Sequence, residues 1–317
     1  MKQLQEIAGT SLSPLVTPML TAVHILVTYQ CTNECDHCFL CCTPKCEGTF
    51  TLQQLRELLE QIKQIAAIRT VYFEGGEPFL FYPILLAGLR MAKEMGLQSG
   101  IVTNGYWATS AADAERWLEP MLDLDIVDFS VSDDEFHSSK GDASPGAIAY
   151  RAAKGMGFPC DRICIVAPCV ETSSASSSGK GKPVTGGAVR FRGRAAEKLT
   201  AGLPVKSWRE LTTCPHEELA SPERVHVDAF GNVHVCQGIS IGNIWRKPLA
   251  EIMQQYDPAN HPILGPLIGG GPARLAERFA FPAAQGYVDE CHLCYEVRRW
   301  LVPLLPSYLA PAPVYGR

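Results

Sequence analysis

Residues 24–38 read His-Ile-Leu-Val-Thr-Tyr-Gln-Cys-Thr-Asn-Glu-Cys-Asp-His-Cys, an apolar run that gives way to three cysteines spaced C-x3-C-x2-C. The run His24–Thr28 is aliphatic and β-branched and predicts a strand, so Cys31, Cys35 and Cys38 fall on the loop beyond its carboxyl end. Closely spaced thiols on one loop offer soft sulfur to a metal centre. Structural zinc takes four protein ligands, and so does a fully capped iron–sulfur cube. Three cysteines fit a cluster with one iron left open; a fourth ligand from Cys41, Cys42 or Cys46 would fit zinc.

The same rhythm repeats downstream. Val71–Glu74, Gly100–Thr103, Ile126–Val131, Arg162–Ala167 and Ala188–Phe191 are further strand candidates. Helical patterns fall between them. Thr51 to Gln54 forms a capping-box signature, followed by Leu52, Leu55, Leu58, Leu59, Ile62 and Ile65 at helical spacing. Pro83 opens another helix that Gly96 closes, and Ser110 and Ser144-Pro145 start two more. Six βα units in succession predict an α/β fold, a partial (βα)6 barrel with a parallel sheet, over residues 1–207. Residues 171–187, Ser/Gly-rich, read as a solvent-exposed excursion or a lid. From about Trp208 the pattern changes to a hairpin signal, Arg224–Asp228 and Val233–Cys236 around Ala229–Asn232. A helix over Pro248–Tyr256, a Gly/Pro-rich stretch and a final cysteine pair follow, so 208–317 reads as a smaller C-terminal extension with a hairpin and helices.

The motifs beyond the strands carry a family resemblance. C-x3-C-x2-C after the first strand resembles the signature of the radical S-adenosylmethionine (radical SAM) superfamily, which holds a [4Fe–4S] cluster by three cysteines and chelates SAM on the fourth iron. His37 stands where many relatives carry an aromatic carbocycle. Gly75-Gly76-Glu77-Pro78 after the second strand resembles the GGEP motif, whose backbone binds the SAM amino group; glycine permits such close approach. Thr103-Asn104-Gly105 after the third strand is similar to the TNG of relatives. Ser132 and Asp134, in Ser132–His137, resemble a segment facing the SAM ribose. All four motifs follow the carboxyl ends of successive strands, the face on which βα barrels build their chemistry. Arg190, Arg192 and Arg194 at period-2 spacing share one side of a strand continued that far. Arg192 or Arg194 is then a candidate partner for the SAM carboxylate, against a plain solvent face as the other reading.

Cys214, Cys236, Cys291 and Cys294 form a second set in the extension, the last two as C-x2-C. Four converging thiols complete a cluster without an open iron, or bind zinc. The stretch His226–Trp245 resembles the auxiliary-cluster region of SPASM and twitch extensions, and a single [4Fe–4S] cluster fits the cysteine count. Three and four of the thirteen cysteines are thereby placed. Cys160 and Cys164 default to core. Cys169, near the expected mouth of the barrel, is a candidate catalytic donor or acceptor of a hydrogen atom.

Composition excludes other classes. A chain of 317 residues with 46% hydrophobic and 19% charged content supports a sizeable core, so global disorder is excluded. The net charge of −5 argues against a nucleic-acid partner bound through bulk charge. An odd number of cysteines in a chain of this length is no disulfide scaffold. The amino terminus lacks a signal-peptide layout, and no apolar run reaches the roughly 20 residues of a membrane span. These features predict a cytoplasmic protein without a membrane partner.

The resemblance implies a radical SAM enzyme supplied with single electrons by a flavodoxin- or ferredoxin-type reductant. It would cleave SAM reductively to a 5′-deoxyadenosyl radical and abstract hydrogen from its substrate. Peptide or protein maturation is the first substrate expectation, with oxidation or rearrangement of a sugar or cofactor precursor as the alternative. About twenty residues precede the first strand, so a peptide substrate would need a separate recognition protein or direct docking. An iron–sulfur electron-transfer protein without SAM chemistry is the reading from another class.

Overall fold

The computed structural model describes residues 19–138, 141–170 and 188–317. The Ser/Gly-rich excursion at 171–187 lies outside the described residues. Strand β1 (Ala22–Thr28) leads through the long cysteine loop to helix α1 (Leu52–Lys63). There follow β2 (Thr70–Gly75), α2 (Tyr82–Glu94), β3 (Gln98–Thr103), α3 (Ala111–Leu118), β4 (Ile126–Ser132), α4 (Pro145–Gly155) and β5 (Cys160–Ile163).

The helices start where the sequence says. Thr51 accepts from the Gln54 amide while the Gln54 side chain returns to the Thr51 backbone, and Ser110 and Ser144 cap α3 and α4. On α1 the face Leu55, Leu58, Leu59 and Ile62 is fully buried, worth about 1.5–3 kcal/mol for each side chain. Strand residues alternate accordingly. Val23, Ile25, Val71 and Phe73 are fully buried, whereas His24, Tyr72 and Glu74 on the opposite face are only partly covered. That second face lines the barrel interior.

Strands β1 to β5 are parallel and paired in sequence order. The predicted sixth strand does not form: Ala188 takes a left-handed φ of 68° and Gly193 one of 61°, which breaks any extended run. The chain instead makes a short helix α5 (Arg194–Lys198) and a brief strand β6 (Lys206–Ser207). The sixth parallel strand is β7 (Arg224–Asp228), which pairs with the other edge of β1 in the register His24 to His226. Antiparallel β8 (Asn232–Cys236) and β9 (Ile239–Asn243) complete one eight-stranded sheet, ordered β5-β4-β3-β2-β1-β7-β8-β9.

Helix α6 (Leu249–Gln254) follows as the sequence predicts. The Gly/Pro-rich stretch is more ordered than expected. It forms α7 (Leu264–Arg278), interrupted at Gly270 and Gly271, where the backbone leaves helical angles before Pro272 restarts the turn. A Cβ on Gly271 would sit 2.2 Å from the Thr212 carbonyl carbon, so this break lets the helix press against that loop. Strand β10 (Gly286–Tyr287) pairs with β6, and α8 (Glu290–Leu301) closes the extension. The β6–β10 pair joins segments from both sides of the expected boundary at 207/208.

Candidate active site and auxiliary cysteine pocket

Three motifs meet beyond β1, β2 and β3. Gly76 N–H donates to the Thr28 carbonyl at 2.7 Å and Glu77 N–H to the Gln30 carbonyl at 2.9 Å. A Cβ on Gly75 would lie 2.4 Å from the Thr28 oxygen, and one on Gly76 2.1 Å from the Gln30 oxygen. The glycines are thus required here by the approach of the β1 backbone, as well as by any ligand. With both amides committed, only the motif's carbonyls remain to accept from an amino group. Pro78 then opens the turn that leads into α2.

Glu77 ties the second motif to the third. Its fully buried carboxylate accepts from Thr103 Oγ1 at 2.8 Å, Asn104 N at 2.7 Å and Phe79 N at 3.0 Å. Burial pushes its pKa up to about 7 against these donors. Asn104 Nδ2 reaches Thr32 Oγ1 at 3.0 Å and Cys31 Sγ at 3.6 Å. Cys31, Glu77, Thr103 and Asn104 are therefore one connected cluster. The loop itself is held from outside, because Arg194 donates from Nε to the Cys35 carbonyl and from its amino group to the Cys42 carbonyl.

The thiols are electrostatically unequal. Burial pushes Cys31 up to about 12. Cys38 is held down at about 6, chiefly by a hydrogen bond from the Cys42 thiol, with the Arg194 charge adding to it against burial. Cys42 is raised in turn. Its thiol and those of Cys41 and Cys46 have protein contacts: Cys46 Sγ lies 3.4 Å from Thr43 Oγ1, and Cys41 Sγ 4.0 Å from the Tyr295 hydroxyl.

Two residues expected to contact SAM have protein partners of their own. The buried Asp134 carboxylate accepts from the amides of Phe136, His137 and Ile165 and from the His137 ring. Three of these bonds fall on Oδ1 and organise the loop after β4, while Oδ2 takes only the Ile165 amide and keeps acceptor capacity. Ser132 is half-buried at the end of β4. Arg192 does not lie on a strand with Arg190 and Arg194. Its guanidinium lies 4.8 Å from the Phe39 ring, next to Cys38, and makes its hydrogen bonds to Cys236 and Gln237 of the extension. Cys169 is exposed beyond β5, and Cys164, expected in the core, is exposed as well.

The second cysteine set converges. Cys214, Cys236, Cys291 and Cys294 line a single pocket together with Arg192, Glu217 and Arg298. Cys236 ends β8, while Cys291 and Cys294 stand on the first turns of α8, which Asp289 caps through the His292 amide. Arg298, one turn further along the same helix face, is buried and donates to the Gln237 carbonyl at 2.9 Å. Arg192 donates to Cys236 Sγ at 2.8 Å and to Gln237 Oε1 at 2.9 Å, and lies 3.6 Å from Glu217. The Nε of each arginine is buried without a hydrogen-bond partner among the described residues. Two unsatisfied guanidinium donors facing four thiols suit a ligand that is anionic and accepts through sulfur. Burial raises the thiols of Cys214, Cys291 and Cys294, the last to about 11, so they favour deprotonation only with a metal bound.

Compact groups of three potential ligand atoms within 4.8 Å occur twice among the described residues, and neither includes a cysteine. A tetrahedral zinc–thiolate centre would set its sulfurs about 3.8 Å apart. Neither cysteine set is drawn in to that spacing. Sequence reasoning missed Arg298, although its spacing from Cys291 and Cys294 matches one helix face. It also missed His24, Glu74 and His226 in the barrel interior.

Residues 25–165, which span the half-barrel and its three-cysteine loop, match the family model of the Radical SAM superfamily. Over 116 residues it is 28% identical to the "Putative peptide biosynthesis protein YydG" of Bacillus subtilis (strain 168), a match spanning 37% of this chain and 36% of that protein. The crystal structure of BtrN in complex with AdoMet and 2-DOIA shares the fold, with a TM-score of 0.50 at 17% identity over 75% of this chain and 83% of that one. The structure of native anSMEcpe with bound AdoMet and Cp18Cys peptide aligns at a TM-score of 0.47 and 14% identity, over 90% and 98% of the two chains. No helix among the described residues is long and apolar enough to cross a membrane.

Proposed function

We propose that the protein is a radical SAM enzyme of peptide or protein maturation, with a SAM-binding [4Fe–4S] cluster on Cys31, Cys35 and Cys38 and an auxiliary [4Fe–4S] cluster on Cys214, Cys236, Cys291 and Cys294. The observation that carries this reading is the convergence of both cysteine sets on one sheet. The first set sits with Glu77, Thr103 and Asn104 beyond the parallel strands, and the second lines a pocket with two buried arginines, each of which keeps an unsatisfied Nε–H among the described residues. When bound, the first cluster and SAM supply reductive cleavage to methionine and a 5′-deoxyadenosyl radical, which removes a hydrogen atom from the substrate.

The chain's own residues do the positioning. Glu77 locks the GGEP turn to Thr103-Asn104, so the carbonyls at Gly75 and Gly76 are fixed before any ligand arrives. Asn104 holds an amide against Cys31, and Arg194 fixes the carbonyls of Cys35 and Cys42. Arg192 and Arg298 would neutralise an anionic group in the auxiliary pocket and raise its affinity for an electron. Peptide chemistry is favoured over a small precursor by the similarity to YydG, a protein named for peptide biosynthesis. The extension and auxiliary pocket fit a 208–317 unit with its own role, either taking up an electron from the substrate or anchoring it. A flavodoxin- or ferredoxin-type partner would supply the reducing electron.

Anaerobic reconstitution with iron and sulfide, followed by dithionite and SAM, tests the proposal. It expects 5′-deoxyadenosine and about eight irons per chain for two cubes. Changing Cys31, Cys35 and Cys38 to alanine should abolish the nucleoside and leave about four irons. Absence of 5′-deoxyadenosine from the fully loaded protein overturns the enzyme reading, and zinc in place of the second four irons overturns the auxiliary cluster.

A further inference from the structure

Inside the half-barrel, and with no cysteine among them, His24, Glu74 and His226 bring one ligand atom each within 4.8 Å of the others. They come from three adjacent strands, β1, β2 and β7, with His24 and His226 directly paired and Glu74 two residues beyond the Tyr72 that faces His24. His24 Nδ1 lies 3.1 Å from one Glu74 oxygen and His226 Nε2 lies 3.4 Å from the other. A tetrahedral ion with bonds of about 2.0–2.1 Å to nitrogen and oxygen sets its donors about 3.3 Å apart. The two separations, one to each Glu74 oxygen, bracket that value, and with all three ligand atoms within 4.8 Å of one another a small side-chain movement would bring them onto one ion.

The contacts around His226 favour such an ion. Arg192 commits the Gln237 carbonyl oxygen, so Gln237 turns its amide nitrogen to His226 Nε2 at 3.0 Å. That leaves Nε2 as the lone-pair nitrogen, directed at a carboxylate oxygen with no proton between them. The proton of the neutral ring then sits on Nδ1, which is buried without a partner among the described residues. A lone pair and a carboxylate turned towards one another in a buried place repel, and a cation between them, taking the lone pair in place of the amide, resolves the conflict. The Tyr72 ring stacks on His24 at 4.4 Å and holds its plane. The other compact group, His37, Asp134 and His137, offers less, because Asp134 already accepts four hydrogen bonds, one of them from His137 itself.

We infer that His24, Glu74 and His226 form a binding site for a divalent transition-metal ion, zinc or iron(II), in the barrel interior. Two imidazoles and one carboxylate leave coordination positions open. A cavity of about 560 Å³, lined by His24, Tyr72, Asp128 and Arg224 among others, adjoins the site. An ion there would offer a Lewis acid to a carboxylate or carbonyl of a molecule held in the cavity. This inference is independent of the identity of either cluster.

Zinc is the probe. Cluster-loaded protein equilibrated with zinc chloride and freed of excess should retain one zinc per chain, with its iron content unchanged. The zinc-edge X-ray absorption of wild type should show nitrogen and oxygen neighbours at about 2.0–2.1 Å and no sulfur at about 2.3 Å. His24→Ala and the near-isosteric Glu74→Gln should each weaken zinc binding about tenfold or more while keeping wild-type iron. A sulfur-containing zinc shell, failure to retain zinc, or unchanged binding in both variants overturns the inference. The wild-type absorption spectrum decides even if His24→Ala does not fold.

Discussion

At the scale of single residues, the first site depends on a carboxylate that the motif names but whose role its name does not reveal. Glu77 receives only donors: two backbone amides and one hydroxyl. Glu77→Gln would put an amide with two N–H donors where the carboxyl carries at most one proton, and should cost about 1–3 kcal/mol in denaturant unfolding at acidic pH. The penalty should depend on pH. The folded pKa of about 7 lies above the ordinary 4.5, so the folded state keeps its proton longer than the unfolded one. Stability from this group is complete below 4.5 and is lost as pH rises through 7. The wild-type advantage over Glu77→Gln should therefore shrink across that window, by at most about 1.4 kcal/mol per pH unit. An advantage that grows with pH would contradict the assignment. Residue types were legible here and partners were not: the sequence places Glu77, Thr103 and Asn104 at strand ends, but only the fold shows the carboxylate bridging them.

At the scale of elements, the strands and caps of the first five βα units could be read because their signals are local. Thr51, Ser110 and Ser144 cap the helices they were expected to cap, and strand bounds shift by a few residues. The segment after the excursion misled because Ala-Val-Arg-Phe-Arg alternates like a strand, while two left-handed positions at 188 and 193 decide against it. Gly193 has a function in that break. Its would-be Cβ lies 2.5 Å from the Cys38 oxygen and 2.6 Å from the Phe39 Cα, so the Arg192–Arg194 bend packs directly on the first cysteine loop. Gly193→Ala should lose at least about 1–2 kcal/mol from the left-handed backbone alone. It should also lower the iron retained by a variant lacking the second cysteine set, measured against that variant with Gly193 intact. Unchanged iron and stability would show that the loop yields freely. The break in α7 was missed for the opposite reason, since its glycines and prolines signal a loop but here serve close contact with the Thr212 backbone.

At the scale of the whole molecule, the extension completes the core sheet. The hairpin strand β7 covers the second edge of β1, and Asp228 beside it accepts from the Tyr29 hydroxyl and from His234 within a fully buried cluster. No local pattern announces a pairing between residues so distant in sequence, which is why the sixth strand was sought in the wrong place. The same distance hid the site of His24, Glu74 and His226, whose members face one another only once β7 has docked. A chain ending at residue 207 would expose the long edge of β1 and the apolar surface under the hairpin. It should lose cooperative unfolding and associate in solution, as seen by calorimetry and gel filtration. A monomeric, cooperatively melting fragment would show that the first five βα units suffice.

The pairing of β1 with β7 also sets a timetable for synthesis. Ala22 waits for Arg224, about 200 residues later, which at roughly 5–20 residues per second is about 10–40 seconds on the ribosome. Through that interval the Cys31, Cys35 and Cys38 thiols are already made, while the strand that bears their loop has a neighbour on one side only. Metal delivered before the chain is released would meet a half-built sheet. Metal delivered afterwards would meet a loop already clamped by Arg194. The order in which the nascent protein acquires its last strand and its iron is thus written into where its central strand finds its second neighbour.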